Sequence, residues 1–87
     1  MNEDSFTLKD WFNAIDFLTE INRNQKAIDL ADKVLKKFPS SSFVYYLLGK
    51  AYLQEGNNQL AIKNVTTALQ LDANNAEAKV LSEELNK

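Results

Sequence analysis

Carboxylates are the side chains of this sequence that could do acid–base chemistry, and they pair at places such as Asp16 with Glu20 and Glu83 with Glu84. Two carboxyl groups divide the work of proton donor and acceptor only where their surroundings drive their pKa values apart. Neither pair comes with a third convergent group, and on a helix surface such carboxylates are solvated. The chain contains no His and no Cys, which removes the commonest general base and the most readily activated nucleophile. Its two glycines lie in separate elements, so no loop can cradle a phosphate. Carboxylates without ligand-loop spacing form no metal cage. The expectation is a chain with no catalytic residues, no cofactor and no metal.

A different kind of spacing points to recognition. Phe43, Tyr46, Leu47 and Lys50 recur at i, i+3, i+4 and i+7, which puts them on one side of a helix. Tyr45, Leu48, Gly49 and Tyr52 form a second stripe on the same helix, rotated from the first. A helix that is apolar on two sides needs a cover for each, or it leaves a patch of the kind that marks an interaction site. Two smaller signals are discounted. Lys33, Lys36 and Lys37 beside Phe38 read as a solvated helix end, where cations suit the dipole. Asn64-Val65-Thr66 matches a glycosylation sequon, but it falls within a helix and Val65 belongs to the apolar pattern.

The elements that must position these residues are five helices. Thr7-Leu8-Lys9-Asp10 has the form of a capping box and starts a helix that runs to about Ile21. Asn22-Arg23-Asn24 supplies a turn that tolerates left-handed backbone. A second helix spans Gln25 to about Lys37 and stops at Phe38-Pro39, because proline pushes the preceding residue out of helical space. Serines 40 to 42 cap a third helix that ends by Gly56. A fourth covers Asn58 to Leu71, and a last one runs from Ala76 to about Asn86. Ala61, Val65 and Ala68 on the fourth answer the aromatic stripe of the third, and Gly49 allows the two backbones to approach.

Composition agrees with a small helical domain of 87 residues. The 45% hydrophobic and 25% charged content is that of a folded, non-membrane chain. The longest apolar run, Phe43 to Leu48, is far below the ~20 residues of a bilayer span. The first four residues, Met1 to Asp4, lack the basic and apolar regions of a signal peptide. That leaves the compartment unknown, and cytoplasmic if the chain is complete. A net charge of −2 weighs against nucleic acid.

The order of the elements follows from a repeat. Asn24-Gln25-Lys26-Ala27-Ile28 returns 34 residues later as Asn58-Gln59-Leu60-Ala61-Ile62, and the same offset links Trp11 to Tyr45 and Leu35 to Leu69. This period marks a helix–turn–helix unit that buries its apolar face only by stacking. Tyr45, Leu48-Gly49, Tyr52, Ala61, Val65 and Ala68 closely resemble the tetratricopeptide repeat pattern. The first unit is looser: Trp11, Leu18, Ala27, Ala31, Val34 and Pro39 fit, while Ala14 and Ile15 replace Leu-Gly.

The resemblance covers nearly the whole chain. It implies an all-α, right-handed solenoid of antiparallel helix pairs, one domain over 1–87, with repeat one at 8–41, repeat two at 42–75 and a capping helix at 76–87. On that last helix, Lys79, Ser82, Glu83 and Asn86 give a polar outer face, and Ala78, Leu81 and Leu85 suit packing back on the second repeat. At the other end, Phe17 and Ile21 leave an apolar patch over which Phe6 is expected to fold. The carboxy-terminal half is similar to repeat tails carried by some bacterial serine hydrolases and esterases, so an excised or appended domain is expected.

By the same resemblance, ligands bind on the concave surface. The groove positions are Lys9, Phe12, Asn13 and Asp16 in the first unit, Phe43, Tyr46, Leu47 and Lys50 in the second, and Glu77, Leu81 and Glu84 on the last helix. Members that capture acidic chaperone tails hold them with Lys, Asn and Arg at these positions. Here Phe12 replaces a lysine, Asp16 and Leu47 replace asparagines, and Glu77 and Leu81 replace lysine and arginine. That departure disfavours an acidic tail and implies an apolar peptide or helix, oriented by Lys50 and Asp16 at the edge. The partner is expected to be a protein or peptide, without nucleic acid or membrane insertion. A homodimer, or docking on an adjoining domain of the same chain, explains the same apolar residues equally well.

Overall fold

The computed structural model describes residues 6–87. Thr7 starts the first helix as read: its hydroxyl accepts from the Asp10 amide at 3.3 Å, and the Asp10 carboxylate accepts from the Thr7 amide at 2.8 Å. The helices are α1 (Leu8–Glu20), α2 (Asn24–Lys37), α3 (Ser42–Gln54), α4 (Asn58–Leu71) and α5 (Ala76–Leu85). Their ends fall within a residue or two of those expected. Asn22 adopts a left-handed φ of 63° between α1 and α2, and Gly56 one of 85° between α3 and α4. Side-chain oxygens of Ser41, Asn57 and Asn75 accept from the first-turn amides of α3, α4 and α5.

Short turns make consecutive helices antiparallel neighbours. Each helix packs on the next, and α3 also packs on α1 and on α5. Thus α1, α3 and α5 lie side by side in one layer while α2 and α4 form the other. The result is an all-α solenoid, elongated to 42 × 26 × 18 Å, with no strand among the described residues.

Gly49 explains the tight α3–α4 contact. A Cβ placed there would lie 2.5 Å from Val65 Cγ2 and 3.2 Å from the Ala61 carbonyl oxygen. The two helices therefore meet at a distance that only glycine permits. Two buried clusters result: one joins Trp11 and Ile15 to α2 and to Val44, Leu47, Leu48 and Ala51, and the other joins Val65 and Ala68 to Ala78 and Leu81.

Polar groups tie the clusters together. Asn75, buried at the start of α5, donates to Ser42 Oγ at 2.9 Å, and Ser42 Oγ donates to the Ala68 carbonyl at 2.7 Å. That relay links the start of α3, the end of α4 and the cap of α5, so Ser42 is a cross-link rather than a cap. Gln54 does the same at the other end: its Nε2 lies 2.6 Å from the Thr19 carbonyl, 2.8 Å from Asn22 Oδ1 and 2.7 Å from Asn24 Oδ1.

Two expectations change. Phe6 stacks on Trp11 with ring centroids 4.7 Å apart, not over Phe17 and Ile21, which stay 60% and 47% exposed. Tyr45 and Tyr52 pack on the core as half-buried side chains, while Val44, Leu47 and Ala51 take the deepest positions of α3. Leu47 is therefore core, at 1% exposure.

Candidate protein-recognition groove

The layer of α1, α3 and α5 presents the residues singled out by their spacing. Phe12 of α1 meets Phe43 of α3 with centroids 4.7 Å apart, and Phe43 meets Tyr46 at 5.2 Å, both in tilted geometry. These half-buried rings form a continuous aromatic strip across α1 and α3. At its edge Lys50 Nζ donates to Asp16 Oδ1 at 2.8 Å. The two charged residues expected to orient a ligand are thus bound to each other. This hydrogen bond raises the lysine pKa above its usual value.

Past Tyr46 the strip runs into an open cleft of about 370 Å³ between α3 and α5. Tyr46, Leu53, Val80 and Leu81 supply its apolar lining, and Lys50, Gln54, Glu77 and Glu84 its polar edges. Burial raises the Tyr46 phenol pKa, Lys50 opposes that shift, and Asp16, Glu77 and Glu84 add to it. The tyrosine therefore stands in a field that three carboxylates share.

Of the positions anticipated for the groove, Phe12, Asp16, Phe43, Tyr46 and Lys50 come together in the strip and its edge ion pair. Leu81 reaches the cleft only as its floor, at 7% exposure. Asn13 is exposed outside the cleft, and Leu47 points into the core, since α1 packs beside α3 and closes over it. Leu53, Gln54 and Val80 were not anticipated. Two of them carried a signal: Leu53 extends the Tyr46–Lys50 stripe to i+7, and Val80 stands 34 residues after Tyr46.

Residues 42–75, which contain α3 and α4, match the family model described as tetratricopeptide repeat. The match takes in the α3–α4 pair and makes that stretch similar to a tetratricopeptide repeat. It is also 34% identical over 55 residues to the Cell division cycle protein 27 homolog of Caenorhabditis elegans, a match covering 63% of this chain and 7% of that protein. Tetratricopeptide repeats generally mediate protein–protein interaction, and the match points to a non-catalytic interaction module rather than an enzyme. Among the described residues no helix is long and apolar enough to cross a membrane.

Proposed function

We propose that this chain is a non-catalytic recognition module that seats an apolar peptide or helix of a partner protein along the face of α1, α3 and α5. The observation that carries the reading is the uncovered strip Phe12–Phe43–Tyr46 running into a cleft where Val80 is 57% exposed. Side chains this apolar on an otherwise polar surface mark an interaction site, and half-buried aromatic residues beside a cleft are the kind that dominate binding energy. The Lys50–Asp16 pair bounds the strip and holds Lys50 against α1.

A selection of displayed random peptides on the 87-residue chain, followed by chemical-shift mapping of the winners, tests this. Perturbations should cluster on α3 and α5, and Tyr46→Ala should weaken binding by more than about tenfold, the loss expected of an anchor residue. Winners that bind Tyr46→Ala and Val80→Asp as well as wild type would remove the groove. A second reading, docking against another copy or an adjoining domain, is favoured by Phe17 and Ile21 on the outer flank of α1. Sedimentation measures it: a wild-type dimer that Phe17→Asp dissociates supports self-association through that flank.

A further inference from the structure

The chemistry of the cleft narrows what it would accept. Its apolar lining lies between two glutamates of α5, Glu77 and Glu84, which are seven residues apart and therefore two turns along one side of the helix. The one cation at the edge, Lys50, is bound by Asp16 at 2.8 Å. Glu20 adds to the field that holds the lysine charged, so the lysine is oriented toward α1. Neither Glu77 nor Glu84 forms an ion pair among the described residues.

Local helix preference accounts for only one of them. Glu77 sits in the first turn of α5, where the helix dipole favours a carboxylate. Glu84 sits in the last turn beside Glu83, with no basic residue there, and the same dipole disfavours it. Glu84 thus gains nothing evident inside the chain, and it stands on the wall of an apolar cleft.

We infer that the cleft between α3 and α5 selects a peptide segment in which an aliphatic or aromatic side chain is flanked by lysine or arginine. The apolar side chain enters between Tyr46, Leu53 and Val80 above Leu81, and the flanking cations meet Glu77 and Glu84. Opposite charge at the edge of an apolar site sets register and excludes acidic partners, because a like-charged segment would be repelled. This rests on the groove reading above and specifies its ligand.

The peptides enriched on wild type provide the test, with two variants at exposed positions. Lys or Arg should be enriched beside the apolar anchor. Glu77→Gln combined with Glu84→Gln should weaken the winners by about threefold to tenfold, since each contact is solvent-exposed, and rising salt should narrow that difference. Charge reversal, Glu77→Lys with Glu84→Lys, should shift the selection toward Asp and Glu beside the same anchor. Winners that map to the cleft without basic residues, and bind the glutamine variant unchanged, overturn this inference while leaving the groove in place. Winners that ignore Tyr46→Ala overturn both.

Discussion

Replacing Gly49 with alanine is the sharpest test of how α3 and α4 are held together. In an open helix the change would help, since alanine is favoured over glycine by about 0.5–1 kcal/mol. Here the new methyl would lie 2.5 Å from Val65 Cγ2 and 3.2 Å from the Ala61 carbonyl oxygen. Val65 is buried and, being β-branched in a helix, has one strongly preferred rotamer. The carbonyl belongs to backbone that cannot rotate aside, so α3 and α4 must separate. Overpacking of this kind costs about 1–3 kcal/mol, and after the propensity gain a net loss of about 1–2 kcal/mol is expected. For a chain of this size that lowers Tm by about 4–16 °C. Urea titration and thermal melts followed by circular dichroism at 222 nm measure it. Val65→Ala removes the offending methyl, so the double variant should lose less than the sum of the single losses. A Gly49→Ala protein as stable as wild type, or strict additivity with Val65→Ala, would refute the close-approach argument.

Further predictions concern the polar ties and the ion pair. Gln54→Ala strips the amide from the Thr19 carbonyl and the Asn22 and Asn24 side chains. It should cost about 1–2 kcal/mol and raise hydrogen exchange in the α1–α2 turn, while unchanged exchange there would contradict the tie. Asn75→Ala loses both the cap of α5 and the donor to Ser42 and should cost about 1–3 kcal/mol in urea unfolding. Asn75→Asp retains the cap and should fall between wild type and Asn75→Ala. Stability should also fall at alkaline pH. Lys50, Tyr46 and Tyr52 all have raised pKa values, from the Asp16 hydrogen bond for the lysine and from burial for the tyrosines. A raised value in the folded state means the stabilisation is complete below the usual values of 10.0 for tyrosine and 10.5 for lysine. It is lost as pH climbs through the folded values. Asp16→Asn and Tyr46→Phe should each flatten that decline in urea midpoints measured across the alkaline range.

The scaffold was legible because its determinants are local or periodic. Thr7 with Asp10, Asn22, Gly56 and the Gly49–Val65 pairing act through nearest turns or through a spacing that recurs, so one chain suffices to place them. Leu47 was not legible in the same way. Helical period places it with Phe43 and Tyr46, but whether that position opens outward depends on how closely α1 lies beside α3. Asp16 and Lys50 were half legible: their 34-residue offset puts them at neighbouring places on α1 and α3, but does not show which way the two side chains reach. Gln54 has no periodic signature at all: a long polar side chain finds acceptors more than 30 residues away only after the helices have packed. Ser42 looked like one more capping serine among three until α5 brought Asn75 to it.

The Asp16–Lys50 pair gives the stack a direction. These residues stand 34 apart, one on α1 and one on α3, so the contact joins two positions one sequence period apart. Were either unit duplicated in tandem, that junction would set aspartate against aspartate or lysine against lysine, and attraction would become repulsion. The pair favours an unlike charge at the neighbouring place, and only weakly, since both side chains are more than a third exposed. A chain engineered to carry more units would keep that preference by alternating the sign at this place from one unit to the next, as the step from Lys50 to Glu84 already does.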